Sequence, residues 1–578
     1  MNQYSSKKAA DAYQNLEHKK SLQDETYPDY HLRAPSGWIN DPCGLFYFNS
    51  SFHVFMQSNP WGKKWGEMSW SHVVSHPNYK EDYKWFYPVD DNQNFKTTAI
   101  IPSHDEKAAD KNGIFTGCVK IMPYKENGET NYYPTAFYSA VWGDGEELQE
   151  TVCIARALDA NKLDENGKII DPYLTNWTKY SDDNNQDNPK VVVYQPKELN
   201  LVSFRDPFIF NLPNDNNYYM LISAGVMGNN NNPKGAVICF KNDGDDITQN
   251  WRRVNTGSNF FFSAEVSVKD DISGGGDFEC VCMYRLSDHV CAMNGTPYIL
   301  IFSQDGCPEN DYGRSLYYVL GNIVKTENSM YFDPLEHFKN NDGSPKYLLL
   351  DLSPDFIYYA ANVMPIDSDK RNILMAWLNI ESAGKQNSNW AGALAIPRFL
   401  FVYKNTDNKW HLGQESTQVH SLRDKLLTNQ TINFINQNEV IINNIKDRKY
   451  NANITFTTDK IIGKEFGLKV TATDSYCTDI NIKNGYLNVD NRYSCKLDID
   501  DTTTKLELDI FLDGSSLEIF IGKNIANGSM VGFATYSTQL KTMIDNQEHT
   551  YIYADNSIQA DLKVFSMQSC WIEAPKGQ

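Results

Sequence analysis

Short aromatic-rich runs, broken every few residues by clusters of Asn, Asp and Gly, leave this chain almost no room for long helices. Phe, Trp and Tyr make up 13% of its residues, with 34 Tyr and 29 Phe. That pattern fits many half-buried strands joined by tight turns. Residues 44–57 (GLFYFNSSFHVFMQ) read as two strands around Asn49-Ser50-Ser51, and residues 207–224 repeat the plan around Pro213 to Asn217. Asn40-Asp41-Pro42 and Arg205-Asp206-Pro207 place an Asp-Pro step at the start of a strand, and Asp333-Pro334 does so less clearly. Proline holds the preceding residue extended and is tolerated at a first strand position, so these Asp side chains are aimed. Recurrent strand units with acids at the entrance of inner strands suggest a radial β-propeller, whose inner-strand ends converge on a central funnel. No fixed-period repeat marks the blades.

The pattern changes near Thr406. Residues 406–429 are polar and read as a linker, partly helical. Residues 430–578 carry alternating strands such as LKVTAT, KLELDIFLD and SSLEIFI and read as a smaller β-sandwich. Residues 1–27, rich in Lys, Gln and Glu, read as an N-terminal extension on the surface or without order. The expected fold is therefore all-β, with a propeller over 28–405 followed by a C-terminal sandwich.

Charge narrows the partners. Lys and Arg total 53 against 73 Asp and Glu, a net −20, whereas binding a polyanion needs a basic surplus. Neither nucleic acid nor membrane is an expected partner: no apolar run approaches the roughly 18 residues of a span, and Met1 to Leu22 lacks the apolar core of a signal peptide. The sequence as written reads as cytoplasmic, with its eleven scattered cysteines reduced. Asn-x-Ser/Thr triplets at Asn49, Asn176, Asn294, Asn429, Asn453 and Asn527 keep secretion open. The 11 His show no metal-ligand spacing, and Gly274-Gly275-Gly276 lacks the Lys-Ser/Thr of a phosphate loop, so neither metal nor cofactor is expected.

Several segments occur together in one order: Trp38-Ile39-Asn40-Asp41-Pro42-Cys43-Gly44, Gln57, Asn59-Pro60, Trp65-Gly66, Trp70-Ser71-His72, Phe115-Thr116-Gly117, Phe204-Arg205-Asp206-Pro207, Phe278-Glu279-Cys280, Asp355-Phe356 with Tyr358-Tyr359-Ala360, Trp377 to Glu381, Trp390-Ala391-Gly392 to Arg398, and Phe511 to Phe520. This ordered set resembles glycoside hydrolase family 32, the invertases and other β-fructofuranosidases, from about residue 28 to 570. The resemblance implies a five-bladed propeller with a β-sandwich behind it. It also implies retaining cleavage of fructosides such as sucrose and short fructo-oligosaccharides, by an enzyme that is a monomer or homodimer.

By the same resemblance Asp41 matches the nucleophile, Glu279 the acid/base and Asp206 the residue gripping the fructose hydroxyls. Retention requires such a pair of carboxyls about 5 Å apart. Without the motif order, Asp41 reads as a turn-capping Asp, Glu279 as a paired buried charge and Asp206 as an ion-pair partner of Arg205. Asn40, Gln57, Trp65, Phe115 and Thr116 match the fructose pocket. Arg205 either tunes Glu279 or is structural, and Glu381 and Trp390 are either rim subsites or blade packing. Two positions depart from the common pattern: Cys43 stands where Asn is usual and Val281 where Pro often follows. Cys43 leaves open a dedicated fructosyltransferase. An inverting arabinanase-like propeller and a non-catalytic fructan-binding propeller are the other readings.

Overall fold

The computed structural model describes residues 6–575 apart from 78–81, 144, 146–147, 184, 228–232, 245, 256–259, 265–275, 287–297, 306–313, 328, 354–355, 367–370, 383–387, 417, 436–438, 443–447, 474–475, 491–492, 525–529 and 541–548. Gly274, Gly275, Asp355, Cys291, Cys307 and the triplets at Asn294 and Asn527 lie outside the described residues.

Five strands matter most for function: β1 (Gly37–Phe48), β2 (Gly113–Glu126), β3 (Leu201–Phe210), β4 (Phe278–Arg285) and β5 (Tyr358–Ile366). Each begins an antiparallel run in which successive strands pair by hairpins, as the alternating aromatic segments require. The first hairpin is the one read from sequence: Phe48 pairs with Ser51 across a two-residue turn in which Asn49 and Ser50 both have positive φ. The runs led by β2, β3 and β4 are separate five-stranded sheets. Those led by β1 and β5 merge into one ten-stranded sheet through a short parallel joint, Gly37 with Trp390 and Trp38 with Ala391. Gly392 sits at this joint with φ +83, and a Cβ there would lie 1.9 Å from the Ile39 carbonyl oxygen. Only glycine permits so close an approach. The five strands touch one another in a closed ring, β1 to β2 to β3 to β4 to β5 and back to β1.

Two boundaries differ from the sequence reading. The 406–429 span is not a connector: Trp410–Ser416 pairs with Arg398–Lys404 in the ten-stranded sheet, and Arg423–Phe434 already belongs to the C-terminal unit, leaving Gln418–Leu422 as a short 3₁₀ turn between them. The C-terminal unit is two six-stranded sheets that share one apolar core, including Ile454, Phe456, Leu468, Ile480 and Ile552.

Nor is the N-terminal extension loose. Lys7–Ser21 forms helix α1, capped by the Ser6 side chain and packed on Thr97 and Thr98 by polar groups: Asp11 accepts from the Thr98 amide at 2.9 Å, and Gln14 accepts from the Thr97 hydroxyl at 2.6 Å. These buried polar contacts, with the rings of Tyr13 on Trp61 and of His18 on Tyr27, Tyr87 and Phe95, hold the helix in place of an apolar stripe.

The two halves are locked by acids of the Phe511–Phe520 segment. Asp513 accepts from the amides of Asp29, Tyr30 and His31, and buried His31 bridges Asp513 and Glu518 at 2.9 Å on each ring nitrogen. Glu518 also accepts from Arg398 at 2.9 Å. Burial works against charge on His31, but the two carboxylates outweigh it and push the imidazole up to about 9. A group raised on folding stabilises fully below its unfolded pKa, near 6.5, and loses that contribution as pH rises through about 9. We expect the melting temperature to fall between pH 6.5 and 9, and His31→Gln to lower it overall while flattening that slope. Parallel wild-type and variant curves by calorimetry would refute the linkage.

Candidate active site

Each of the five ring strands carries an irregularity in its pairing at a similar point: between Ile39 and Pro42 in β1, Ile114 and Gly117 in β2, Arg205 and Phe208 in β3, Glu279 and Cys282 in β4, and Tyr359 and Asn362 in β5. A bulge re-aims side chains that regular pleating would alternate. The residues so freed include Asn40-Asp41, Phe115-Thr116 and Asp206-Pro207, three of the expected groups. The steps at Asp41 and Asp206 therefore lie inside strands, at pairing irregularities and not at strand starts, with Pro207 left out of the ladder and Pro42 opposite Met56. Asp206 is not extended either: its φ is +63, and Cys280 and Ala360 share that left-handed conformation at the matching points of β4 and β5. Such backbones cost about 1–3 kcal/mol each and persist where surrounding structure fixes them. The third Asp-Pro step, Asp333-Pro334, closes the strand Met330–Pro334, where Asp333 pairs with Lys339 at 3.0 Å.

Hydrogen bonds join the acids into one net. Asp41 Oδ1 accepts from Asn40 Nδ2 at 3.0 Å, and Asn40 is itself held by the Trp38 indole N–H at 3.0 Å. Asp41 Oδ2 accepts from Gln57 Nε2 at 3.3 Å, from Cys280 Sγ at 3.3 Å and from the Thr116 hydroxyl. The Cys280 amide donates to Asp206 Oδ2 at 2.7 Å. Next to it, Glu279 accepts from Arg205 at 2.8 Å on one oxygen and from the Tyr359 hydroxyl at 2.6 Å on the other. Arg205 is held in turn by Glu150 at 3.2 Å and Asp277 at 2.5 Å. Gln57 Oε1 is buried with no partner among the described residues, an acceptor left for a ligand hydroxyl.

Burial lifts all three carboxyls above their usual range. It is the main cause for Asp41, opposed by the donors Thr116, Cys280 and Asn40. Asp206 is raised furthest, by burial and by its neighbours Glu279 and Asp41 against the pull of Arg205. Glu279 is raised by burial and Asp277 while Arg205 and Tyr359 pull it back. Acid–base cleavage needs one carboxyl as a carboxylate and one as an acid, and neighbouring acids whose charges act on one another titrate as a coupled set. The Cys43 and Cys280 thiols are driven well above their ordinary value, first by burial and then by the neighbouring acids. They remain donors, not nucleophiles.

Trp65 is 58% exposed and meets Phe115 edge-on at 5.5 Å, a ridge beside the acid net. Two further expected residues make no hydrogen bond to the acid net among the described residues. Trp390 is buried at the parallel joint, its indole N–H on Asp24 at 2.8 Å and its ring 5.5 Å from Tyr27, so it packs the fold. Glu381 is exposed, and its backbone is tied to Gln539 of the C-terminal unit. Sequence reasoning gave no role to Cys280, Tyr359, Asp277 or Glu150. The first three lay in or beside quoted motifs; Glu150, 55 residues before Arg205, carried no signal.

Two family models match the chain, the glycosyl hydrolases family 32 N-terminal domain over residues 31–416 and the family 32 C-terminal model over 418–558. A sucrose-6-phosphate hydrolase of Zymomonas mobilis is 24% identical over 90% of this chain and 88% of its own length, and a levanase of Bacillus subtilis is 25% identical over 86% and 65%. Among solved structures, the Bombyx mori GH32 β-fructofuranosidase superposes with a TM-score of 0.67 at 18% identity over 98% of this chain and all of that one. Fructan 1-exohydrolase IIa from Cichorium intybus gives 0.68 at 19% over 95% and 98%. At these identities the likeness speaks for the fold.

Proposed function

Because the chain belongs to glycosyl hydrolase family 32, we propose that it is a retaining β-fructofuranosidase releasing terminal fructosyl units from sucrose and short fructo-oligosaccharides, on a ring of five strand units read as a five-bladed propeller with a β-sandwich behind it. The observation that carries this reading is the joining of Asp41, Asp206 and Glu279, from three different ring strands, through the backbone and thiol of Cys280. Asp41 attacks the anomeric carbon as Glu279 gives its proton to the departing sugar oxygen, so the glycosidic bond breaks and a fructosyl ester on Asp41 forms. Glu279, now a carboxylate, takes a proton from water; the water oxygen joins the anomeric carbon and Asp41 is released. Asp206 and Gln57 hold fructose hydroxyls, and Arg205 positions Glu279.

Time-resolved NMR of sucrose cleavage tests the reading. β-Fructofuranose should appear first, and initial release of the inverted anomer would exclude Asp41 as nucleophile.

Because a fructosyl-enzyme waits for an acceptor, whichever hydroxyl next reaches the anomeric carbon decides the product. Positioning of a sugar at the Trp65–Phe115 ridge can outweigh the greater concentration of water. We expect free glucose and fructose in equal amounts at dilute sucrose and an excess of glucose, with trisaccharide, at high sucrose. A ratio of one throughout would make the enzyme a plain hydrolase.

A further inference from the structure

A cleft of about 480 Å³ lies between the start of α1 and the loops that frame the acid net. Ala10 forms its helical wall, Trp61 lines it among apolar neighbours, and Glu67, His104, Lys111 and Asn112 supply polar groups. Its volume falls in the range of about 300–1,000 Å³ common to small-molecule sites. Half-buried Trp61 shares the lining with an acceptor in Glu67, a donor in Asn112 and the Lys111 ammonium, which Glu106 at 2.9 Å and the His104 carbonyl at 3.3 Å hold in place, and a flat apolar face beside mixed hydrogen-bonding groups suits a sugar ring. A site for an anion would lack the Glu67 carboxylate, and one for an apolar ligand would lack the polar rim.

The loops also connect this cleft to the acid net. Glu67 is two residues from Trp65, and Asn112 is three before Phe115, so the Trp65–Phe115 ridge is built from the same two segments as the cleft wall. The Ile114 amide bonds the Met68 carbonyl at 3.0 Å and fastens those segments together. Glu67 has φ +47, a conformation a non-glycine residue adopts only when its surroundings impose it. Helix α1 precedes residue 31, where the family match begins, so this wall lies outside the matched segment.

We propose that the cleft binds the distal sugar units of a longer fructo-oligosaccharide whose terminal fructosyl group occupies the acid net, and that α1 forms one wall of this subsite. This rests on the β-fructofuranosidase reading above. Bound distal units hold the chain in register, so the site raises kcat/KM for long substrates only.

The test compares kcat/KM on sucrose and on a fructan of about ten units for the full chain, Trp61→Ala and the exposed-site pair Glu67→Ala and His104→Ala. Each variant is expected to keep sucrose kcat/KM within about twofold and to lose fivefold or more on the fructan, chiefly in KM. Trp61 lies 5.7 Å from the Tyr13 ring of α1, so its loss could loosen the helix. The surface pair keeps the test decisive if Trp61→Ala melts early. Unchanged fructan-to-sucrose ratios in the folded variants overturn the proposal while leaving the β-fructofuranosidase reading intact. A wild-type chain inactive on both sugars overturns that reading instead.

Discussion

Asp41→Asn is expected to lower turnover on sucrose by three orders of magnitude or more, equivalent to about 4 kcal/mol of barrier at about 1.36 kcal/mol per tenfold. The substitution keeps the shape of the side chain and removes the attacking oxygen. It should not unfold the protein. Burial already disfavours charge on this carboxyl, and an amide oxygen at the Oδ2 position still accepts from Thr116, Gln57 and Cys280, so that only the Asn40 bond at Oδ1 is lost. A melting temperature within a few degrees of wild type, together with the collapse in rate, separates loss of a nucleophile from loss of structure. A folded Asp41→Asn protein retaining a tenth of wild-type turnover would rule out the assignment. A wild-type chain that binds fructosides without cleaving them would instead mark a binding protein.

How far the sequence could reach is clearest at the two Asp-Pro steps. It singled out Asp41 and Asp206 as aimed side chains, on the ground that proline restricts the residue before it. It gave the wrong local geometry, because a bulge is defined by the neighbouring strand: nothing within Arg205-Asp206-Pro207 says that Ser223 pairs with Arg205 and Leu221 with Phe208, leaving Asp206 and Pro207 out of the ladder. The same reason hid Cys280. Its amide and thiol reach two different acids only because β4 bulges beside β3 and β1, a relation between strands more than 70 residues apart.

Helix α1 failed to read as ordered for a different physical reason. Its polar residues looked solvated, yet Asp11, Gln14 and Glu17 are buried, and Asp11 and Gln14 end on partners outside the helix, which a hydropathy pattern cannot register. Trp390 shows the converse. Its motif left it either at the rim or packing a blade, and the indole N–H is on Asp24, a packing partner supplied by that same unrecognised extension.

Glu279→Ala carries the second large expectation, and its form matters more than its size. A general acid contributes about 10²–10⁴-fold, so cleavage of sucrose should fall by that factor. A fructoside whose leaving group departs as a stable anion needs no proton in the first step, so its fructosyl-enzyme should form at close to the wild-type rate and then accumulate. Water attack on that ester has lost its base, and added azide, a nucleophile that needs none, should speed turnover and yield a fructosyl azide of retained configuration. Removing the carboxylate also leaves Arg205 and Tyr359 facing a gap, each without its bond to Glu279. Glu279→Gln, which keeps that volume and an acceptor oxygen, controls for it and should show the same dependence on leaving group. A structural Glu279 predicts the opposite signature: equal losses on both substrates, no burst, no azide rescue, and recovery in the Gln variant.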